Sequence, residues 1–142
     1  MSTYYIPTRL KAQIEACDRH RCCYCLTSEA NSGIPMTYDH ISPRSKGGAT
    51  TFENLCLACR TCNEFKSDST ETEDPLTGET LPLFNPRTQK WTDHFTWSLD
   101  STRVEGLTAT GRATITALRM NNPIIVSARW RWAISGWHPP AD

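Results

Sequence analysis

The chain has 142 residues, of which 38% are hydrophobic and 21% charged, a size that suits one domain and excludes a large multidomain machine. Lys plus Arg and Asp plus Glu both number 15, so no general basic excess indicates nucleic-acid binding, and attraction to phosphate must be local. Without an apolar run of roughly 18 residues or a recognisable signal peptide, the sequence predicts a soluble, cytoplasmic protein with no membrane partner.

The first half of the chain predicts a helix, two strands and a second helix. Apolar residues recur at helical spacing after Pro7, which predicts an N-terminal helix over residues 7–17. Residues 36–41 are a short strand candidate, residues 55–58 form a short apolar segment typical of a strand, and a helix is expected to begin near the second cysteine pair. A basic loop that contains glycine and proline joins the two strands.

The second half predicts a linker and then a small C-terminal region. Residues 69–90 are acidic and contain Pro and Gly, which indicates a linker between a core at 1–68 and a region at 91–142. Alternating apolar residues after position 94 predict a β-hairpin, and helices are expected over residues 111–120 and 123–135.

The last of these helices has a clear start signal and an amphipathic pattern. Asn122 is a good helix cap, and Pro123 suits the first helical position. Ile125 and Trp132 belong to an apolar stripe at helical spacing, which predicts that Trp132 faces the core and that Arg129 lies near the border of that face. Stacking of this Arg/Trp segment on bases is the less favoured interpretation.

Cysteine spacing predicts a structural metal site. The chain holds two CxxC pairs, and each pair can turn two thiolates towards one tetrahedral zinc ion. The predicted zinc ligands are Cys22, Cys25, Cys59 and Cys62. Cys23 could replace Cys22, and Cys56 with Cys59 makes another CxxC. We interpret Cys56 and Cys17 as core residues, because Cys56 lies in the apolar run 55–58 and Cys17 on the apolar face of the first helix.

The zinc loop, residues 22–66, also carries polar residues that a purely structural module does not need. It contains Asp39-His40, then Asn54, then Asn63 directly after the second CxxC, and finally Lys66. The segment DHISPRSKGGATTFENLCLACRTCNEFK resembles the HNH endonuclease family, and the resemblance covers residues 22–66. It implies a small α+β fold in which a ββα-metal finger is braced by a zinc site of four cysteines, here with an N-terminal helix and a C-terminal hairpin and two helices.

The resemblance and the chemistry of phosphodiester hydrolysis assign roles to four residues. His40 is the expected general base on water, because histidine titrates near neutral pH. Asp39 and Asn63 offer oxygen ligands to a catalytic Mg²⁺ or Mn²⁺ and leave positions open for water and phosphate. By resemblance, Asn54 tethers the loop and orients the histidine. The candidate phosphate contacts are Lys66, Arg44, Lys46 and Arg60, with Lys66 the best of them.

These assignments predict a metal-dependent endonuclease that hydrolyses DNA, with double-stranded DNA as the expected partner. One such site cuts one strand, so cutting both strands requires a homodimer or two successive nicks, and the sequence leaves both open. The alternative is a non-catalytic zinc module that binds nucleic acid or protein, and the neutral overall charge slightly favours it.

Overall fold

The computed structural model describes residues 5–141 and has a small α+β fold. Within that range the structure contains six α-helices and three two-stranded antiparallel sheets. In chain order these are α1 (Thr8–Cys17), α2 (Glu29–Ser32), β1 (Thr37–His40), β2 (Leu55–Ala58), α3 (Arg60–Lys66), β3 (Glu71–Glu73), β4 (Thr80–Pro82), α4 (Trp91–His94), β5 (Phe95–Trp97), β6 (Val104–Gly106), α5 (Ala109–Ala117) and α6 (Pro123–Ile134). No helix in the described range is long and apolar enough to cross a membrane.

The unit β1, β2 and α3 forms the centre of the first half, as the sequence predicts. Strands β1 and β2 pair in antiparallel register from Thr37 opposite Ala58 to His40 opposite Leu55. All four residues of β2 are buried, which explains why this strand has no alternation of apolar and polar residues. Helix α3 follows β2 after a single residue and packs on β1.

Helix α1 confirms the predicted N-terminal helix but corrects the placement of Cys17. Ile14 is fully buried on the face of α1 that packs on β2. Cys17 is exposed at the last position of the helix, so the prediction that it is a core residue is wrong. The helix ends at Cys17, and the next residue, Asp18, is buried instead. Cys56 is fully buried, which confirms its assignment to the core.

Residues 69–90 form an ordered part of the fold, in contrast to the predicted linker. They contain the β3–β4 hairpin, which packs on α5, and the buried residue Phe84. Asp74 is fully buried between the two strands and accepts hydrogen bonds from Arg112 of α5 at 3.1 and 2.9 Å. One acidic residue of this segment, Asp74, therefore forms an internal ion pair, while Glu71, Glu73 and Glu79 are exposed. A single hydrophobic cluster extends from Ile14 through Phe84 to Leu118.

The C-terminal elements agree with the predicted hairpin and pair of helices. The side chain of Asn122 accepts a hydrogen bond from the backbone N–H of Ile125 at 3.0 Å and caps α6, with Pro123 in its first turn. Helix α5 begins at Ala109, two residues before the predicted start. Arg129 is fully buried, which corrects its predicted position at the border of the apolar face, while Trp132 is partly buried.

Candidate active site and metal centre

Four cysteines converge where the two ends of the zinc loop meet. The sulfur atoms of Cys22, Cys25, Cys59 and Cys62 all lie within 4.8 Å of one another. The Cys25 and Cys59 sulfurs are 3.7 Å apart. A tetrahedral zinc with bonds of about 2.3 Å has sulfur–sulfur edges of about 3.8 Å. The four-cysteine cluster therefore fits a closed site for a metal such as zinc, and the cysteines chosen from the sequence are the ones that come together.

Local backbone structure holds each cysteine pair in place. In the first pair, the N–H of Leu26 donates to the carbonyl of Cys22 at 2.9 Å, and Leu26 adopts a left-handed conformation with φ of 62°. In the second pair, Cys59 caps α3, because its sulfur accepts a hydrogen bond from the N–H of Cys62 at 3.4 Å. Each turn directs a backbone N–H group at sulfur, which stabilises the thiolate form.

Burial and mutual hydrogen bonds shift the thiol pKa values of the cluster in opposite directions. Burial raises the pKa of the Cys22 thiol well above its usual value. Hydrogen bonds from the neighbouring cysteines, Cys22 first among them, lower the pKa of Cys25. Four thiolates cannot form together at this distance without a cation, so binding of a divalent ion releases protons from the cluster.

His40 lies at the end of β1, outside the cysteine cluster. Its side chain is 7% exposed, and its Nε2 atom is 3.0 Å from the hydroxyl oxygen of Thr50. Burial lowers the pKa of His40 below its ordinary value, and the nearby charges of Arg44 and Lys66 act in the same direction. The imidazole is therefore neutral at pH 7, which is the form a general base requires.

Asn54 ties the loop after β1 into a compact shape. Its amide nitrogen donates to the carbonyl oxygens of Ser42 and Ala49 at 2.9 and 2.8 Å, and its amide oxygen accepts from the N–H of Ser42 at 2.8 Å. Gly48 is required at this point, because a Cβ atom there would lie 1.7 Å from the carbonyl oxygen of Ser42. These contacts match the tethering that the resemblance implies, whereas the effect on the His40 ring stays a prediction.

Asp39 points to the opposite side of β1 from His40 and is sealed inside the molecule. Its carboxylate is 4% exposed and accepts hydrogen bonds from the Tyr24 hydroxyl at 2.7 Å and from the Lys66 ammonium at 3.2 Å. Burial raises the pKa of Asp39, and the charge of Lys66 opposes that rise. Two residues earlier on the same face, the Thr37 hydroxyl accepts a hydrogen bond from the Asn63 amide at 2.9 Å. Asp39 and Asn63 thus belong to one face of the β1–α3 unit.

Of the four candidate phosphate contacts, one is buried in the structure and three are exposed. Lys66 is 1% exposed, and its ammonium donates to Asp39 and to the carbonyl oxygens of His40 and Ile41, both at 3.1 Å. The prediction that Lys66 contacts phosphate is wrong in this conformation, because its charge is used inside the fold. The remaining three candidates are on exposed positions: Arg44, Lys46 and Arg60. Arg60 and Asn63 line the same open groove beside α3.

Tyr24 is a site residue that the sequence interpretation missed. It lies between the cysteines of the first pair, is fully buried and holds one oxygen of Asp39. Its carbonyl oxygen accepts a hydrogen bond from the Trp91 indole at 2.8 Å, which links this turn to α4. The only signal in the sequence is an aromatic residue inside a CxxC turn, where a small polar residue would suffice.

A four-cysteine cluster that braces a ββα unit, with a histidine at the strand end and an asparagine-tethered loop, defines an HNH-type fold. Residues 22–69, about a third of the chain, match the family model described as HNH endonuclease, which confirms the resemblance for that segment. The match indicates nuclease activity and metal binding in general terms. No curated protein matches the chain.

Proposed function

We propose that this protein is a metal-dependent endonuclease that hydrolyses DNA phosphodiester bonds with His40 as the general base. The observation that carries the proposal is the HNH match at residues 22–69, within which His40 ends β1 as a nearly buried imidazole whose pKa is lowered by burial. Double-stranded DNA is the proposed substrate, and the exposed side chains of Arg44, Lys46 and Arg60 are the proposed phosphate contacts.

A structural zinc ion is the proposed occupant of the four-cysteine cluster. Four sulfurs leave no open coordination position, so this ion stabilises the fold and does not meet substrate. It would join the turn at Cys22 to the start of α3 at Cys59 and so fix the helix that carries Asn63. Binding energy at such a site is folding energy.

A second, catalytic ion, Mg²⁺ or Mn²⁺, is proposed to be held by Asp39 and Asn63. The donor types fit, because both residues offer oxygen atoms on one face of the β1–α3 unit. The Asn63 amide oxygen accepts no hydrogen bond from any described residue, whereas the carboxylate of Asp39 is shared with Lys66. Such an ion neutralises charge on the phosphate and on the leaving oxygen.

The protein's own residues then have three tasks. His40 accepts the proton of the attacking water, and the Thr50 hydroxyl at 3.0 Å fixes the plane of its ring. Asn54 keeps the loop that carries Thr50 closed against Ser42. Arg44, on the same loop, places positive charge near the histidine, where it disfavours protonation of the ring before substrate arrives.

One observation favours the alternative, a non-catalytic zinc module that binds nucleic acid or protein. The Lys66 ammonium already lies 3.2 Å from Asp39, where a catalytic cation would be expected. A module that had lost turnover could keep such an ion pair permanently, because the pair satisfies the buried carboxylate without metal.

A plasmid-nicking assay separates the two functions. Supercoiled DNA is incubated with Mg²⁺ or Mn²⁺ and with the wild type, His40→Ala, Asn63→Ala or Asn63→Asp. We expect His40→Ala to lose roughly 100-fold or more of the nicking rate. Asn63→Asp should retain more activity than Asn63→Ala, because it keeps an oxygen ligand. His20→Ala is the matched control, since His20 is largely exposed and paired with Glu29 outside the site.

The outcomes are distinct. Equal nicking by the wild type and His40→Ala contradicts the general-base assignment. A wild type that retains zinc and binds DNA without cutting it supports the alternative module. If the linear product rises with the square of protein concentration, a homodimer cuts both strands; a linear product that appears only after nicked circles indicates successive single cuts.

A further inference from the structure

Arg129 is a charged residue buried in the C-terminal region, and the proposed function does not use it. Its side chain is completely inaccessible to solvent. Its terminal nitrogens donate to the carbonyl oxygens of Thr102 and Met120 at 3.0 and 2.7 Å and to the side-chain oxygen of Asn121 at 3.1 Å. All three acceptors are neutral. The remaining nitrogen, Nε, is buried and has no hydrogen-bond partner among the described residues.

A buried guanidinium normally has a negative partner, because removing an unpaired charge from water costs several kcal/mol or more. Within residues 5–141, no carboxylate pairs with Arg129, whereas Arg87 and Arg112 pair with Asp18 and Asp74. The hydrogen bonds that Arg129 makes leave its charge uncompensated. Among the described residues, therefore, Asp and Glu do not supply the compensating charge.

The thiolates of the cysteine cluster are the other source of negative charge that acts on Arg129. Burial lowers the pKa of Arg129, and attraction to Cys25, Cys62 and Cys59 opposes that change. The guanidinium lies over the Trp97 ring at 5.2 Å from its centre. Trp97 in turn lines a surface groove that Cys22 also lines.

We propose that Arg129 is the counter-ion of the four-cysteine metal centre, a positioning residue from α6 that stabilises the four thiolates. A divalent ion bound by four thiolates carries a net double negative charge, which is costly in a buried site. One guanidinium halves that charge, and its unpartnered Nε–H is available to a sulfur. The inference rests on the proposed metal in the four-cysteine cluster but not on nuclease activity, and it makes α6 part of the metal site.

The test compares metal retention in the full-length wild type with Arg129→Gln, which removes the charge, and Arg129→Lys, which keeps it. Each protein is loaded with Zn²⁺, and the metal-to-protein ratio and the rate of zinc transfer to a coloured chelator are measured. We expect Arg129→Gln to release zinc about tenfold faster or more, and Arg129→Lys to lie closer to the wild type. Loading with Co²⁺ adds a spectroscopic readout, because loss of the charge should shift the thiolate-to-metal absorption bands.

Two controls address general effects. Arg131→Gln removes an exposed charge from the same helix, and Ile125→Ala weakens the packing of α6 without touching a charge. Both should keep the wild-type release rate under native conditions. A Gln variant that cannot fold even with excess zinc, while the Lys variant can, supports the proposal.

The proposal is overturned if Gln retains zinc as well as Lys does, if both variants match the wild type, or if neither folds. A wild type that binds no metal would instead overturn the proposed zinc site itself. The plasmid assay reports separately on the nuclease, so the failure of one proposal does not mimic the failure of the other.

Discussion

The buried pair of Lys66 and Asp39 makes the sharpest prediction about stability. Replacing Lys66 with Met removes an ammonium that is 1% exposed and leaves a 4% exposed carboxylate with Tyr24 as its remaining strong donor. It also leaves the carbonyl oxygens of His40 and Ile41 without their ammonium donor. Breaking a buried ion pair in this way costs about 3 to 5 kcal/mol. For a domain of this size, that lowers the melting temperature by roughly 10 to 20 °C.

Urea unfolding of the zinc-loaded protein measures this cost, and pH gives it a second signature. Without Lys66, the pKa of Asp39 rises further above its unfolded value, because burial then acts unopposed. The folded state then holds a proton that the unfolded state releases, so the variant recovers stability relative to the wild type as pH falls from 8 towards 5. The double variant Asp39→Asn, Lys66→Met should be less destabilised than the sum of the single changes and should lose this pH dependence. A loss below about 1 kcal/mol for Lys66→Met, or strict additivity, would refute the reasoning.

Three further predictions test other parts of the site and fold. Cys59→Ser should lower both the zinc content and the melting temperature. The control Cys17→Ser, at an exposed cysteine outside the cluster, should change neither. Unchanged zinc stoichiometry in Cys59→Ser would reject the ligand set. Asp74→Asn should destabilise the fold, because hydrogen bonds from Arg112 and the Thr77 hydroxyl stabilise the ionised carboxylate and lower the pKa of Asp74. In an acid titration, the free energy of unfolding of the wild type should be constant above about pH 4 and decline below it. This decline should be weaker in the variant. The nicking rate should stay on its plateau down to a pH below about 6.5, since His40 must be neutral and its pKa is lowered; an acid limb above pH 7 contradicts this.

Local signals predicted much of the fold. The cap formed by Asn122 and Pro123 depends on neighbouring residues alone, and α6 begins where it should. The two CxxC turns likewise predict the metal cluster, since the spacing within each pair fixes how the sulfurs point. The β1–β2 pairing and α3 follow from a short strand candidate and a short apolar segment that a glycine-containing loop separates.

Long-range ion pairs could not be predicted in the same way. The acidic, proline-containing segment has the composition of a linker. Its burial depends on the ion pair between Asp74 and Arg112, which lie 38 positions apart in the chain. Helical periodicity placed Arg129 at a border, because the carbonyl groups that receive its hydrogen bonds come from residues outside its helix. Lys66 was predicted to contact phosphate because its acceptors, which lie on β1 and just after it, are distant in the sequence. In each case the residue that makes burial of the charge favourable lies far away in the sequence, so local patterns do not indicate it.

The contacts of Arg87 limit how far the HNH segment can be treated as a portable module. The Arg87 guanidinium donates to the carbonyl oxygens of Phe52 and Leu55 at 3.2 and 3.0 Å and forms a two-point pair with Asp18 at 2.7 and 3.0 Å. Asp18 in turn accepts from the N–H of Leu57 at 2.9 Å. A fragment of residues 22–69 would leave these backbone groups of Phe52, Leu55 and Leu57 without their partners. Transfer of the HNH segment to another scaffold would therefore require a replacement for Arg87 and Asp18 as well as the metal.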